Sequence, residues 1–122
     1  MARIKWAMLA MTAITLGMGA TSTAKAGAIS GSKITADVVE AFHVDTYTVR
    51  FEAGEPALVV LKGDGDTNLE LEVYDENGHL IAANLDDGAG ALVTWTPKWT
   101  GKFTIKVVNR GAVFNHYRLA TN

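Results

Sequence analysis

Apolar and polar residues alternate along most of the chain after residue 33, in short runs separated by turn residues at spacings of roughly 8 to 12 positions. Residues 46–52 place Tyr47, Val49 and Phe51 on one side and Thr48, Arg50 and Glu52 on the other. That two-residue period is the pattern of a strand with one buried face. It recurs at residues 69–74, where Leu69, Leu71 and Val73 face a core and Glu70, Glu72 and Tyr74 face outward. Phe103, Ile105 and Val107 continue it over residues 102–109, and Tyr117 and Leu119 over residues 116–120. Residues 57–61 form a near-continuous apolar run, short enough for a central strand, with Pro56 at its entrance where a missing N–H does least harm.

Turn chemistry supplies the rest of the layout. Asn77 and Gly78 predict a tight primed turn that joins residues 69–74 to an antiparallel strand over 79–83. Residues 84–90 read as a loop, 91–95 as a strand, 96–101 as a turn and 110–115 as the last loop. Ile34, Val38 and Ala41 also fit a helical spacing, but the β-branched residues of 34–41 favour a strand. The expected fold is therefore all-β: an antiparallel sandwich or barrel of about eight short strands over residues 34–122.

Composition changes this picture at the N-terminus. Arg3 and Lys5 precede an apolar run from Trp6 to about Met18, and Ala24-Lys25-Ala26 has the small-x-small pattern of a signal peptidase site. Residues 1–26 are expected to be a cleaved export leader, and residues 27–33 a flexible segment ahead of the folded body. The apolar run is interrupted by Thr12, Thr15, Gly17 and Gly19 and falls short of the ~20 residues that a membrane span needs. The expected location is exported, periplasmic or extracellular, with no membrane contact after cleavage. Taking Arg3, Lys5 and Lys25 from the 11 basic residues, against 13 acidic ones, leaves residues 27–122 with a net charge of −5. Nucleic acid is a poor match for that balance, since it is bound through clustered Lys and Arg. With no cysteine in the chain, one small monomeric domain must be held by core packing or by a bound cation.

These segments together carry a resemblance. Residues 47–54 (Tyr-Thr-Val-Arg-Phe-Glu-Ala-Gly), 63–75, Asn77-Gly78, Trp95-Thr96-Pro97, 101–109 and 115–119 follow one another in order and spacing. In this the chain resembles the bacterial pre-peptidase C-terminal domain, a jelly-roll-like sandwich appended to many secreted proteases and related to collagen-binding modules of clostridial collagenases. The resemblance implies a solubility, secretion or substrate-targeting role, with a secreted protease as a partner. One departure stands in the central strand: the family commonly shows Asp-Leu-Asp-Leu, and this chain reads Asn68-Leu69-Glu70-Leu71.

Candidate chemistry is sparse. Asp64, Asp66 and Asn68 at alternate positions look like the first half of a calcium loop. Counting from Asp64, however, Leu69 and Asp75 stand where a helix-loop-helix site needs Gly and Glu. Calcium held between loops, with Asp86 and Asp87 adding oxygens, is the arrangement left, against the plain reading that Asp and Gly make turns. His43, His79 and His116 lie too far apart in sequence for a local metal pair. The only serines after residue 26 are Ser30 and Ser32, so a Ser-His-Asp site is not expected. Glu70 and Glu72 share a strand face and invite a hydrolase reading. Trp99 in a turn, Tyr74 on an outward position and Phe114 in the last loop are candidates for a recognition surface. The leading expectation is a non-catalytic, exported binding or accessory module for a protein, peptide or envelope polysaccharide. A calcium-stabilised structural module is the second reading, and a small hydrolase using Glu70 and Glu72 the third.

Overall fold

The computed structural model describes residues 2–5, 27–86, 88 and 90–122, with side chains from residue 27 onward. Most of the expected leader, residues 6–26, and one candidate calcium ligand, Asp87, therefore lie outside the described residues. Among the described residues nine strands follow one another: β1 (Ala2–Lys5), β2 (Lys33–Val39), β3 (Val44–Phe51), β4 (Ala57–Gly63), β5 (Leu69–Tyr74), β6 (Leu80–Asn84), β7 (Gly90–Trp95), β8 (Gly101–Asn109) and β9 (Asn115–Thr121). They form a five-stranded sheet in the order β1-β3-β8-β5-β6 and a four-stranded sheet in the order β2-β9-β4-β7. Strand β1 lies parallel to β3, and every other pairing is antiparallel. No helix occurs among the described residues. The eight strands from residue 33 onward thus make the expected β-sandwich.

The core sits between the inner faces. Tyr47, Phe51, Leu69, Leu71, Val73, Phe103, Ile105 and Val107 enter it from the larger sheet, and Val39, Ala57, Val59, Leu61, Val93, Tyr117 and Leu119 from the smaller. Residues 57–61, expected to be a buried central strand, do lie between β9 and β7, but only Ala57, Val59 and Leu61 are buried, and Leu58 and Val60 are half-buried on the outer face. Strand β3 starts two residues earlier than the pattern suggested, so the same period that buries Tyr47 carries Asp45 inside, 1% exposed. There Tyr117 Oη–H donates to Asp45 Oδ2 at 2.7 Å, and the Tyr47 hydroxyl donates to Tyr117 at 2.5 Å. This chain joins the two sheets through polar atoms that would otherwise be costly to bury. Burial, reinforced by Tyr47 and Asp45, pushes the Tyr117 phenol far above the ordinary tyrosine range.

The β5–β6 connection differs from the expected primed turn. Gly78 N donates to Asp75 O at 3.0 Å and Asp75 N to His79 O at 2.9 Å, which encloses a three-residue loop. Gly78 alone is left-handed, at φ 86°; Asn77 is not. This is a three-residue hairpin with one glycine in the left-handed position, selected because Asp75 Oδ1 accepts from both Asn77 N and His79 N at 2.9 Å. Within residues 27–33, expected to be a flexible segment, the backbone of Ala28 and Ile29 pairs with the body. Ala28 N donates to Asn122 O at 3.0 Å, Ile29 N to Arg50 O at 2.9 Å, and Ala28 is 2% exposed.

Candidate functional site

One end of the sandwich gathers the β2–β3 turn, the β4–β5 loop and the β8–β9 loop, and the residue that joins them is Asn109, 2% exposed at the end of β8. Its amide donates to Val39 O (3.3 Å), Glu40 O (3.1 Å) and Val113 O (2.9 Å). Its Oδ1 accepts from Thr67 Oγ1 at 2.8 Å and Gly111 N at 2.9 Å. Asn115, fully buried, repeats the device: Nδ2 donates to Thr67 Oγ1 at 2.9 Å and Oδ1 accepts from Asp64 N at 3.0 Å. Three loops distant in sequence are therefore fixed to one another by two buried amides whose hydrogen-bonding groups are used.

What these loops display is apolar. Phe42 is 69% exposed, Val113 and Phe114 50% each. Phe42 occupies the third position of a turn closed by His43 N donating to Glu40 O at 3.1 Å, and its φ is 57°. Such a position ordinarily takes Gly or Asn, and a bulky residue there is strained. Phe42 N donates to Gly111 O at 3.0 Å, which holds the strained turn against the β8–β9 loop. Phe114 stands edge-on to the His116 ring, 5.4 Å between centroids. Backbone strain maintained by surrounding contacts, with a large apolar side chain left in solvent, is a pattern found at recognition sites.

The candidate calcium ligands Asp64, Asp66, Asn68 and Asp86 fall in loops at this same end. Asp64 Oδ1 accepts from Asp66 N at 2.8 Å and Oδ2 from His116 N at 2.9 Å. Asn68 Oδ1 accepts from Gly88 N at 3.1 Å, and Asp86 N donates to Asn84 Oδ1 at 3.2 Å. Among the described residues no group of three or more His, Cys, Asp or Glu side chains is arranged to hold a metal ion. The backbone N–H groups of His116 and Asp66 hold the Asp64 carboxyl below its ordinary value of 3.8, and those of His79 and Asn77, with the His79 ring, do the same for Asp75. Both carboxyls titrate lower folded than unfolded, so their contribution is present above about pH 4 and is lost as pH falls through their lowered values. Melting temperature should accordingly fall on acidification below pH ~4, and Asp75→Asn should flatten that decline. An acid limb equally steep in Asp75→Asn and the parent would remove Asp75 from this account.

The remaining expected site residues lie elsewhere. Glu70 pairs with Arg110 Nε at 3.0 Å, and Glu72 accepts from Tyr74 Oη at 2.7 Å. Both carboxylates are thus engaged on the outer face of the larger sheet. Tyr74 also lies under Lys106 Nζ, 4.8 Å from its ring centroid, and Glu72 raises its phenol above the usual range. Trp99, 39% exposed, sits in the β7–β8 turn, at the end of β8 opposite Phe114. Phe114 and Trp99 thus stand at opposite ends of β8 and Tyr74 on the outer face of the larger sheet, while Phe42 and Val113 are exposed in the loops of the end that carries Phe114. An aromatic in the turn between Glu40 and His43 was visible in the sequence, but nothing local marked its conformation.

No family model matches the chain, and no curated protein matches it. Solved structures do share its fold. The pre-peptidase C-terminal domain of a Bacillus anthracis collagenase is similar with a TM-score of 0.65 at 14% identity, over 75% of this chain and 89% of that one. The Aeromonas hydrophila periplasmic inhibitor of g-type lysozyme has a TM-score of 0.58 at 20% identity, over 84% and 91%. A surface-associated copper-binding protein of Methylomicrobium album has 0.56 at 10%, over 73% and 92%. The chain has the fold of the pre-peptidase C-terminal domain, as the sequence resemblance implied, and that one fold serves proteins of different function.

Proposed function

We propose that this chain is an exported, non-catalytic module that binds a protein partner through the loop end bearing Phe42, Val113 and Phe114. The observation that carries this reading is the conjunction of exposed apolar side chains with loops made rigid by Asn109 and Asn115. A surface ordered before binding loses little conformational entropy when a partner docks, and large aromatics supply most of the contact free energy. Export is supported by the leader pattern of residues 1–26 and by the similarity to a periplasmic lysozyme inhibitor. That similarity also makes g-type lysozyme the first protein to test.

The test is capture by the tagged chain from an envelope fraction, alongside direct inhibition of g-type lysozyme, with the parent and with Phe42→Ser and Phe114→Ser. A protein retained by the parent and reduced at least about tenfold by either variant is the expected result. Equal capture by both variants and the parent would refute the assignment. Phe42→Gly is diagnostic in a second way. Glycine relieves the left-handed backbone and removes an exposed ring, so the variant should be more stable by about 0.5–1 kcal/mol while binding is lost. Denaturant unfolding measures the first and the capture assay the second.

A further inference from the structure

We propose that the outer face of the four-stranded sheet is a second interaction surface, whose partner is a protein segment presenting an apolar stripe bordered by carboxylates. The register lines up four apolar side chains on this face, one from each strand: Ile34 lies opposite Ala120, Ala120 opposite Val60, and Val60 opposite Leu92. Three strand intervals of ~4.8 Å make this row about 14 Å long. Its ends stand out of the surface, with Ile34 76% and Leu92 51% exposed. Strand β4 is apolar at its outward positions Leu58 and Val60 as well as its inward ones, the pattern of a strand covered on both faces. The core covers only one of them.

A basic row runs beside the apolar one. Arg118 lies opposite Lys62, with Ala36 beyond Arg118 and Gly90 beyond Lys62. Both cations are exposed, and neither has an ion pair among the described residues. Like charges directly opposite each other on neighbouring strands oppose the pairing, and the short side chains at either end of the row leave both cations open to a counter-charge.

Charge identifies the occupant. None of the chain's 13 acidic residues takes an outward position on β2, β4, β7 or β9. Asp37 lies opposite Tyr117, on the inward side of its strand, and Asp64, just beyond β4, accepts from Asp66 N and His116 N. A second copy docked through the same face would therefore bury Arg118 and Lys62 of both chains without counter-charges, at a large desolvation cost. No Phe, Tyr or Trp points outward from these strands, so a sugar ring finds no flat surface to stack on. The net charge of −5 over residues 27–122 opposes approach to an anionic membrane. A protein segment with Asp or Glu beside apolar side chains both covers the row and neutralises the two cations.

The experiment photo-cross-links the full chain in its own cells from Ile34→p-benzoylphenylalanine, an exposed position that stays apolar, and maps the cross-linked peptide by mass spectrometry. The expected product is a segment of another protein in which acidic residues flank apolar ones, with a yield reduced at least about tenfold by Arg118→Glu. A synthetic peptide of that segment carrying Lys in place of its acidic residues should bind the Lys62→Glu/Arg118→Glu chain more tightly than the parent, a reversal that a misfolded variant cannot produce. Phe42→Ser should leave the cross-link in place, which separates this face from the loop end. A cross-link to a second copy of this chain, to a segment without carboxylates or to no protein would overturn the proposal. So would an undiminished yield in Arg118→Glu, a charge-swapped peptide that prefers the parent, or a cross-link lost in Phe42→Ser.

Discussion

Asn109→Ala should lower the melting temperature by roughly 12–20 °C, corresponding to about 3 kcal/mol for a domain of this size. The side chain is 2% exposed and makes five hydrogen bonds. Alanine would strand the carbonyls of Val39, Glu40 and Val113, the Gly111 N–H and the Thr67 hydroxyl together. Each buried orphan costs about 1–3 kcal/mol before relaxation, and water entering the loop end would recover part of the total. Asn109→Asp should do comparable damage, because a carboxylate oxygen would face the three carbonyls that the amide nitrogen now serves. A change of only a few degrees in both variants would show that the loops hold together by other means. In the variants that do fold, capture of the partner should weaken even though Phe42 and Phe114 are intact, since their presentation depends on this residue.

Phe51→Ala should be the most destabilising single truncation, by about 4 kcal/mol. Phe51 is fully buried and contacts two rings edge-on, Trp95 at 4.9 Å and Phe103 at 5.9 Å. Removing it forfeits burial, leaves a cavity, and breaks aromatic pairs that contribute beyond their area. Against a total stability of order 5–15 kcal/mol, this loss would bring the domain near its threshold. Urea unfolding at unchanged m-value is the measurement, and a loss below about 2 kcal/mol would mean that the sheets close over the gap.

Much of this architecture was legible beforehand because strand faces are a local property. A residue's side of the sheet is set by its parity within a strand, and the solvent or core on that side selects its polarity, so Leu69, Leu71 and Val73 declare themselves. Parity even held for Asp45: once β3 is extended to Val44, it must share a face with Tyr47. Where the expectations and the molecule part, a hydrogen bond had intervened. Asp75 capping two N–H groups turned the Asn77-Gly78 connection into a longer loop.

The sequence by itself determined the all-β class and which residues of each strand face the core, because both are written in neighbouring positions. Only the tertiary structure brought the residues of the proposed site together. Asn109 reads as an ordinary polar strand end until strand order brings residues 39–40, 67, 111 and 113 around it. Phe42 reads as one more aromatic until the Gly111 carbonyl pins it in a left-handed turn. Satisfaction of buried polar atoms is a pairing between loops remote in the chain, and which loops meet is fixed by the order of strands rather than by any local pattern.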